Sequence, residues 1–179
     1  MIRNDARGFY AAGISFSLVT MTLLVTGFVF LSFMKIVFLE RADLELQQEI
    51  DHAMRTVGRD AAESSTYEIH TSEYGMNVAF HKERSDISVD KKKGETRSKE
   101  SGVTYGLRPE HGSMRFCRTR NRLNGAQPMT GESMIGDVTI TSFRAEAEAS
   151  GVHIVLEGQS RRTGHTYRQT AVYPLARKS

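Results

Sequence analysis

The chain has one cysteine, no tryptophan and three prolines in 179 residues. A single thiol excludes an intrachain disulfide framework and any metal site built from cysteines alone. Neither sign of charge dominates. The 24 Lys+Arg and 21 Asp+Glu leave a formal +3, too small a surplus to imply a nucleic-acid partner by itself. Catalytic motifs are missing too: there is no Gly-x-Ser-x-Gly elbow, no Walker loop and no His-Glu-x-x-His helix. The six histidines (His52, His70, His81, His111, His153, His165) are scattered, with no pair at i, i+2 or i+4. This reads as a protein that is not an enzyme and has no cofactor or metal. Cys117 alternates with Phe116 in a strand-like run and reads as a buried thiol, although in an oxidising space it could bond a second chain.

The most informative absence is local. From Phe9 to Met34 there is no Asp, Glu, Lys or Arg, a run of 26 residues. About 20 helical residues cross a hydrocarbon core. The run is rich in Leu, Val, Phe and Met, and its Thr and Ser hydroxyls can bond back to helix carbonyls, so they cost little in lipid. A cleaved secretory signal has a shorter apolar stretch, about 7–15 residues. The reading is therefore a retained transmembrane helix. Arg3 and Arg7 before the span balance Lys35 and Arg41 after it, so charge alone leaves the orientation undecided.

Beyond the span the period stays helical. Leu39, Ala42, Leu46, Ile50, Ala53, Val57 and Ala61 recur at steps of three or four, an apolar stripe that Leu44 and Met54 widen. The other face carries Glu40, Arg41, Asp43, Glu45, Glu49, Asp51, Arg55 and Arg59. Residues 40–83 contain 4 basic and 10 acidic side chains, read as a wet surface that includes the Arg59-Asp60 pair, or alternatively as a contact for a basic neighbour.

After Ser64-Ser65 the period becomes two. Strands are expected at Met76–Phe80, around Ile87 and Val89, and at Val103–Leu107, Met114–Cys117, Val138–Phe143, Val152–Leu156 and Tyr167–Tyr173. Asp90–Ser101 has no apolar side chain and reads as a loop, and Gly158–Gly164 as a hairpin connection. The fold class is α+β: a long helix whose exported half is covered by a small antiparallel sheet domain.

The start of the chain, Arg7-Gly8-Phe9-Tyr10 directly ahead of the apolar run, resembles the type IV prepilin and pseudopilin family. Leu44-Glu45-Leu46-Gln47-Gln48-Glu49-Ile50 followed by Arg59-Asp60 looks like minor pilins, and so does the strand from Asp137 to Phe143 with Val152–Leu156 after it. The resemblance implies a leader 1–8 ending at Gly8 and a peptidase that cuts there and methylates Phe9. It further implies a transmembrane and filament-core helix 9–34, an exported helix half 35–64 and a sheet domain 65–179, in a pilin-like fold. The implied protein sits once through the cytoplasmic (inner) membrane with its C-terminal domain outside. It is a structural subunit of a type IV pilus, a type II secretion pseudopilus or a competence (DNA-uptake) filament. Its implied partners are other pilin-like subunits, the prepilin peptidase, an inner-membrane assembly platform and membrane lipid. The family's usual Glu at the fifth mature position is Gly13 here, which suggests a subunit near the tip and leaves room for close helix approach. The alternative is an uncleaved single-pass anchor carrying an extracytoplasmic binding module.

Residues 84–122 contain 11 Lys+Arg and 5 Asp+Glu. Lys91, Lys92 and Lys93 with Arg115, Arg118, Arg120 and Arg122 form a candidate DNA contact, because phosphate binding needs clustered donors. The competing reading is a solvated loop and a charge-protected sheet edge.

Overall fold

The structure is a computed structural model and describes residues 3–82, 88–89, 96–97, 101–120, 125–131 and 137–175. One helix, α1 (Arg3–Ala62), precedes ten strands: β1 (Thr66–Ser72), β2 (Gly75–Lys82), β3 (Ser88–Val89), β4 (Thr96–Arg97), β5 (Ser101–Glu110), β6 (Ser113–Arg120), β7 (Ala126–Pro128), β8 (Val138–Glu148), β9 (Gly151–Ser160) and β10 (Thr166–Pro174). The chain divides into two compact units, Met1–Glu40 and Arg41–Ser179. The layout is α+β, a long apolar-headed helix followed by antiparallel sheets.

The first unit is helix. Its hydroxyls bond back as the sequence suggests: Thr20, Thr22 and Thr26 donate to the carbonyls of Phe16, Leu18 and Thr22 at 2.9, 2.8 and 2.8 Å. No polar side-chain group of these threonines is left for an apolar surrounding to penalise.

In the second unit the helical stripe is buried. Ala42, Leu46, Ile50, Ala53, Met54, Val57 and Ala61 are all at most 2% exposed. Leu44 departs from expectation at 56% exposed; it lies two residues from both Ala42 and Leu46, so it turns away from the stripe. The helix ends where Ser64 N–H bonds Ala61 O and Ser64 Oγ donates to Asp60 O, and Ser65 N–H then reaches His81 O, which starts the sheet.

The strands form a five-stranded sheet in the order β1-β2-β5-β6-β7 and a three-stranded sheet β10-β9-β8, with β3 and β4 paired separately. In place of the single sheet expected, the described residues form two larger sheets and the small β3–β4 pair, and all the pairings are antiparallel. The β1 strand was not legible: its burial alternates, but its apolar side is only Tyr67 and Ile69. Within the expected loop Asp90–Ser101, Thr96–Arg97 pairs with Ser88–Val89, and Ser101 pairs with Lys82 as the first residue of β5. Ile87 and residues 90–95 and 98–100 lie outside the described residues.

Aromatic rings join the sheets. Tyr105 stacks on Phe116 at 5.6 Å and meets Phe80 edge-on at 6.0 Å, and Phe116 packs on Phe143 of β8 at 4.9 Å. Gly158 lets the helix approach β9: a Cβ there would lie 3.0 Å from Ile50 Cδ1 and 3.3 Å from Leu46 Cδ1.

Candidate functional site

Two features stand out, one in each unit. In the first unit, the large apolar side chains among the described residues are exposed. Phe16, Phe28 and Tyr10 are 75, 73 and 73% exposed, and even Val37 is 41% exposed. An 18-residue window of this helix has mean hydropathy 2.2 and none of it is buried, so α1 is a candidate single membrane span. A row of large apolar residues this long far exceeds the scattered exposed apolar residues of a soluble surface. Gly13 lies in this stretch, and apart from its chain neighbours and the local helix backbone no described atom lies within 4 Å of where a Cβ would stand. Gly8 and Phe9 lie within α1.

In the second unit, the acidic helix face holds the sheets rather than only facing water. Asp60, read from sequence as solvated, is 2% exposed. Tyr105 O–H donates to its Oδ2 at 2.6 Å, Arg118 reaches the same oxygen from Nε at 2.9 Å and from Nη2 at 2.6 Å, and Lys82 Nζ lies 3.4 Å from Oδ1. Lys82 also pairs with Glu63. Burial by itself would raise the Asp60 pKa. The hydrogen bonds from Tyr105 and Arg118, with the charges of Arg118 and Lys82, overcome this and hold the carboxyl below the usual carboxylate range. Burial and the Asp60 carboxylate push the Tyr105 phenol well up, so it stays a donor.

Other acids act similarly. Asp43 Oδ1 accepts from Thr163 Oγ1 at 2.5 Å, and its Oδ2 lies 2.6 Å from His165 Nδ1, which ties the helix to the β9–β10 turn. Glu49 accepts from Gly131 N–H at 2.6 Å, and Asp51 from Tyr167 O–H at 3.1 Å. The wet-face reading therefore holds for exposed positions such as Glu40, Arg55 and Arg59, and fails for Asp43, Glu49, Asp51 and Asp60. Asp60 carried a local signal: it lies three residues after Val57 and beside Ala61, on the buried stripe itself.

The arginine series does not form one exposed patch. The Arg118 side chain is 11% exposed and bound to Asp60. Arg115 is 18% exposed and pairs with Glu110 at 3.3 Å. Arg120 is exposed and, with Arg118, Gly125 and Gln127, lines a hollow of about 150 Å³. Lys91, Lys92, Lys93 and Arg122 lie outside the described residues. Cys117 is 4% exposed and free, as expected; burial pushes its thiol up, the Glu110 charge adds to this, and Arg108 and Arg115 oppose it. Among the described residues no group of three His, Cys, Asp or Glu could hold a metal.

Comparison with family models, with curated proteins and with solved structures finds no match to this chain.

Proposed function

We propose that the chain is a minor pilin or pseudopilin: a non-catalytic subunit held in the cytoplasmic membrane by α1 and drawn into a filament of similar subunits by packing of that helix. The observation that carries this reading is the row of exposed large apolar side chains among the described residues from Tyr10 to Val37, set against a helical stripe from Ala42 to Ala61 that is buried. Such a surface needs either lipid or other helices around it. The Arg7-Gly8-Phe9 junction, through its resemblance to prepilins, favours a helix that first sits in lipid and is then processed. On this reading Met1–Gly8 is removed, Phe9 becomes the methylated amino terminus, and the parent machine is a type IV pilus, a secretion pseudopilus or a competence filament. Gly13 removes the buried carboxylate that a core subunit would use, which suits a position at the fibre tip. Of the candidate DNA donors, Arg118 and Arg115 are engaged by carboxylates and Arg120 is exposed, while Lys91, Lys92, Lys93 and Arg122 lie outside the described residues.

The test is the intact mass of protein extracted from membranes, compared with Gly8→Asp. The reading expects the parent to lack the mass of Met1–Gly8 and carry one added methyl group, and the variant to keep its leader. A single unprocessed mass in both would establish the uncleaved anchor instead.

A further inference from the structure

The face of the five-stranded sheet opposite Tyr105 and Phe116 holds a second feature, independent of the assembly reading. Side chains alternate along strands, so Thr104, Gly106, Cys117 and Thr119 point away from the α1-facing side. Register places Gly106 between Asn77 and Cys117, and Thr104 opposite Thr119. Above them is a hollow of about 430 Å³, walled by Glu73 and Tyr74 of the β1–β2 turn and by Arg108. This falls in the range of small-molecule sites, about 300–1,000 Å³.

The hollow is built. A Cβ on Gly106 would stand 1.7 Å from Asn77 Oδ1, so only glycine leaves room for the Asn77 amide across the floor. The turn is held by Ser72 Oγ donating to Gly75 O at 2.8 Å, with Gly75 at φ +120°, a conformation that suits glycine. Tyr74 stands 43% exposed at the rim. The side chains of Glu73, Tyr74, Asn77, Thr104, Arg108 and Thr119 make no hydrogen bond or ion pair with one another or with any other described residue.

We propose that this hollow binds a neutral saccharide. An amide and two hydroxyls each both donate and accept, as sugar hydroxyls do. The Tyr74 ring offers a flat apolar surface with a polar end, suited to the C–H side of a pyranose. Among the described residues of the lining, Glu73 and Arg108 are the one anion and the one cation, and their charges balance, so these residues favour a neutral ligand over an anion. A wholly apolar ligand would bury the amide and hydroxyls without partners, at a cost for each.

The test uses the full chain in lipid nanodiscs free of sugar-headed detergent, with saturation-transfer NMR on the methyl β-glycosides of glucose, galactose and N-acetylglucosamine. At about 10 mM ligand, a site with a Kd of about 1 mM is roughly nine-tenths filled. The expected result is transfer to ring C–H protons of at least one sugar, falling at least about tenfold in Tyr74→Ala, which leaves the Ser72–Gly75 bond in place, and weakening in Thr119→Val. Circular dichroism checks that both variants fold. No transfer from any of the three sugars, or equal transfer in parent and Tyr74→Ala, overturns the proposal. Binding of inorganic phosphate in place of the glycosides also overturns it.

Discussion

Replacing Asp60 by Asn keeps the size of the side chain and removes its charge. In the folded protein that change leaves the Arg118 guanidinium, only 11% exposed, without its counter-charge. It also takes the carboxylate acceptor from Tyr105, whose ring is fully buried. Breaking a buried pair by removing one partner costs about 3–5 kcal/mol, mostly because the other charge stays buried. For a folding unit of this size, 1 kcal/mol corresponds to roughly 4 °C in Tm. Asp60→Asn should therefore lower the melting temperature by about 12–20 °C, read from the β-sheet circular dichroism of the full chain in nanodiscs. Replacing the whole cluster, Asp60→Leu with Tyr105→Phe and Arg118→Met, should restore most of that loss, since apolar groups of similar volume remove the desolvation penalty along with the charges. A shift below about 2 °C for Asp60→Asn would place Asp60 in water and refute the reasoning, because exposed substitutions change stability by about 0.5 kcal/mol or less.

Acid should weaken the fold through the same groups. The folded pKa values of Asp60 and Asp43 lie below the ordinary 3.8, so the stability they add is complete above that value and is lost as pH falls through the folded values; the drop in urea midpoint between pH ~7 and pH ~3 should be smaller in Asp60→Asn than in the parent. Gly151→Ala should cost at least about 2 kcal/mol, because the new Cβ would stand 2.0 Å from the Tyr173 carbonyl oxygen on the paired strand. Gly58→Ala should cost less in the same melts: its Cβ would meet the Tyr173 ring at 2.6 Å, a side chain that can shift once its 2.7 Å bond to Met54 O is given up, and alanine returns up to about 1 kcal/mol of helix propensity.

What sequence made legible here is what repeats over a few residues. The stripe from Ala42 to Ala61 and the alternation in β2, β9 and β10 are patterns of period 3.6 or 2, and the charge-free run from Phe9 to Met34 is one of length and composition; each belongs to a single element. They determined the candidate span, the buried side of the helix and the α+β class. Cys117 was readable as a buried thiol for the same reason. Its neighbour Arg118 was not, because the side chains that claim it, Asp60 and Tyr105, lie 58 and 13 residues away.

Tertiary structure decided the fate of the charges. Asp60 looks like any acidic residue on a helix until β2, β5 and β6 bring Lys82, Tyr105 and Arg118 to it from separations of 22, 45 and 58 residues. The hollow over Gly106 is of the same kind: a glycine inside a strand announces a close approach, but only strand register says that Asn77 makes it. Hydrophobic pattern is a property of one segment and survives in the linear chain. The pairing of a charge or an amide depends on which other segment arrives beside it, and that exists only after the sheets have closed on the helix.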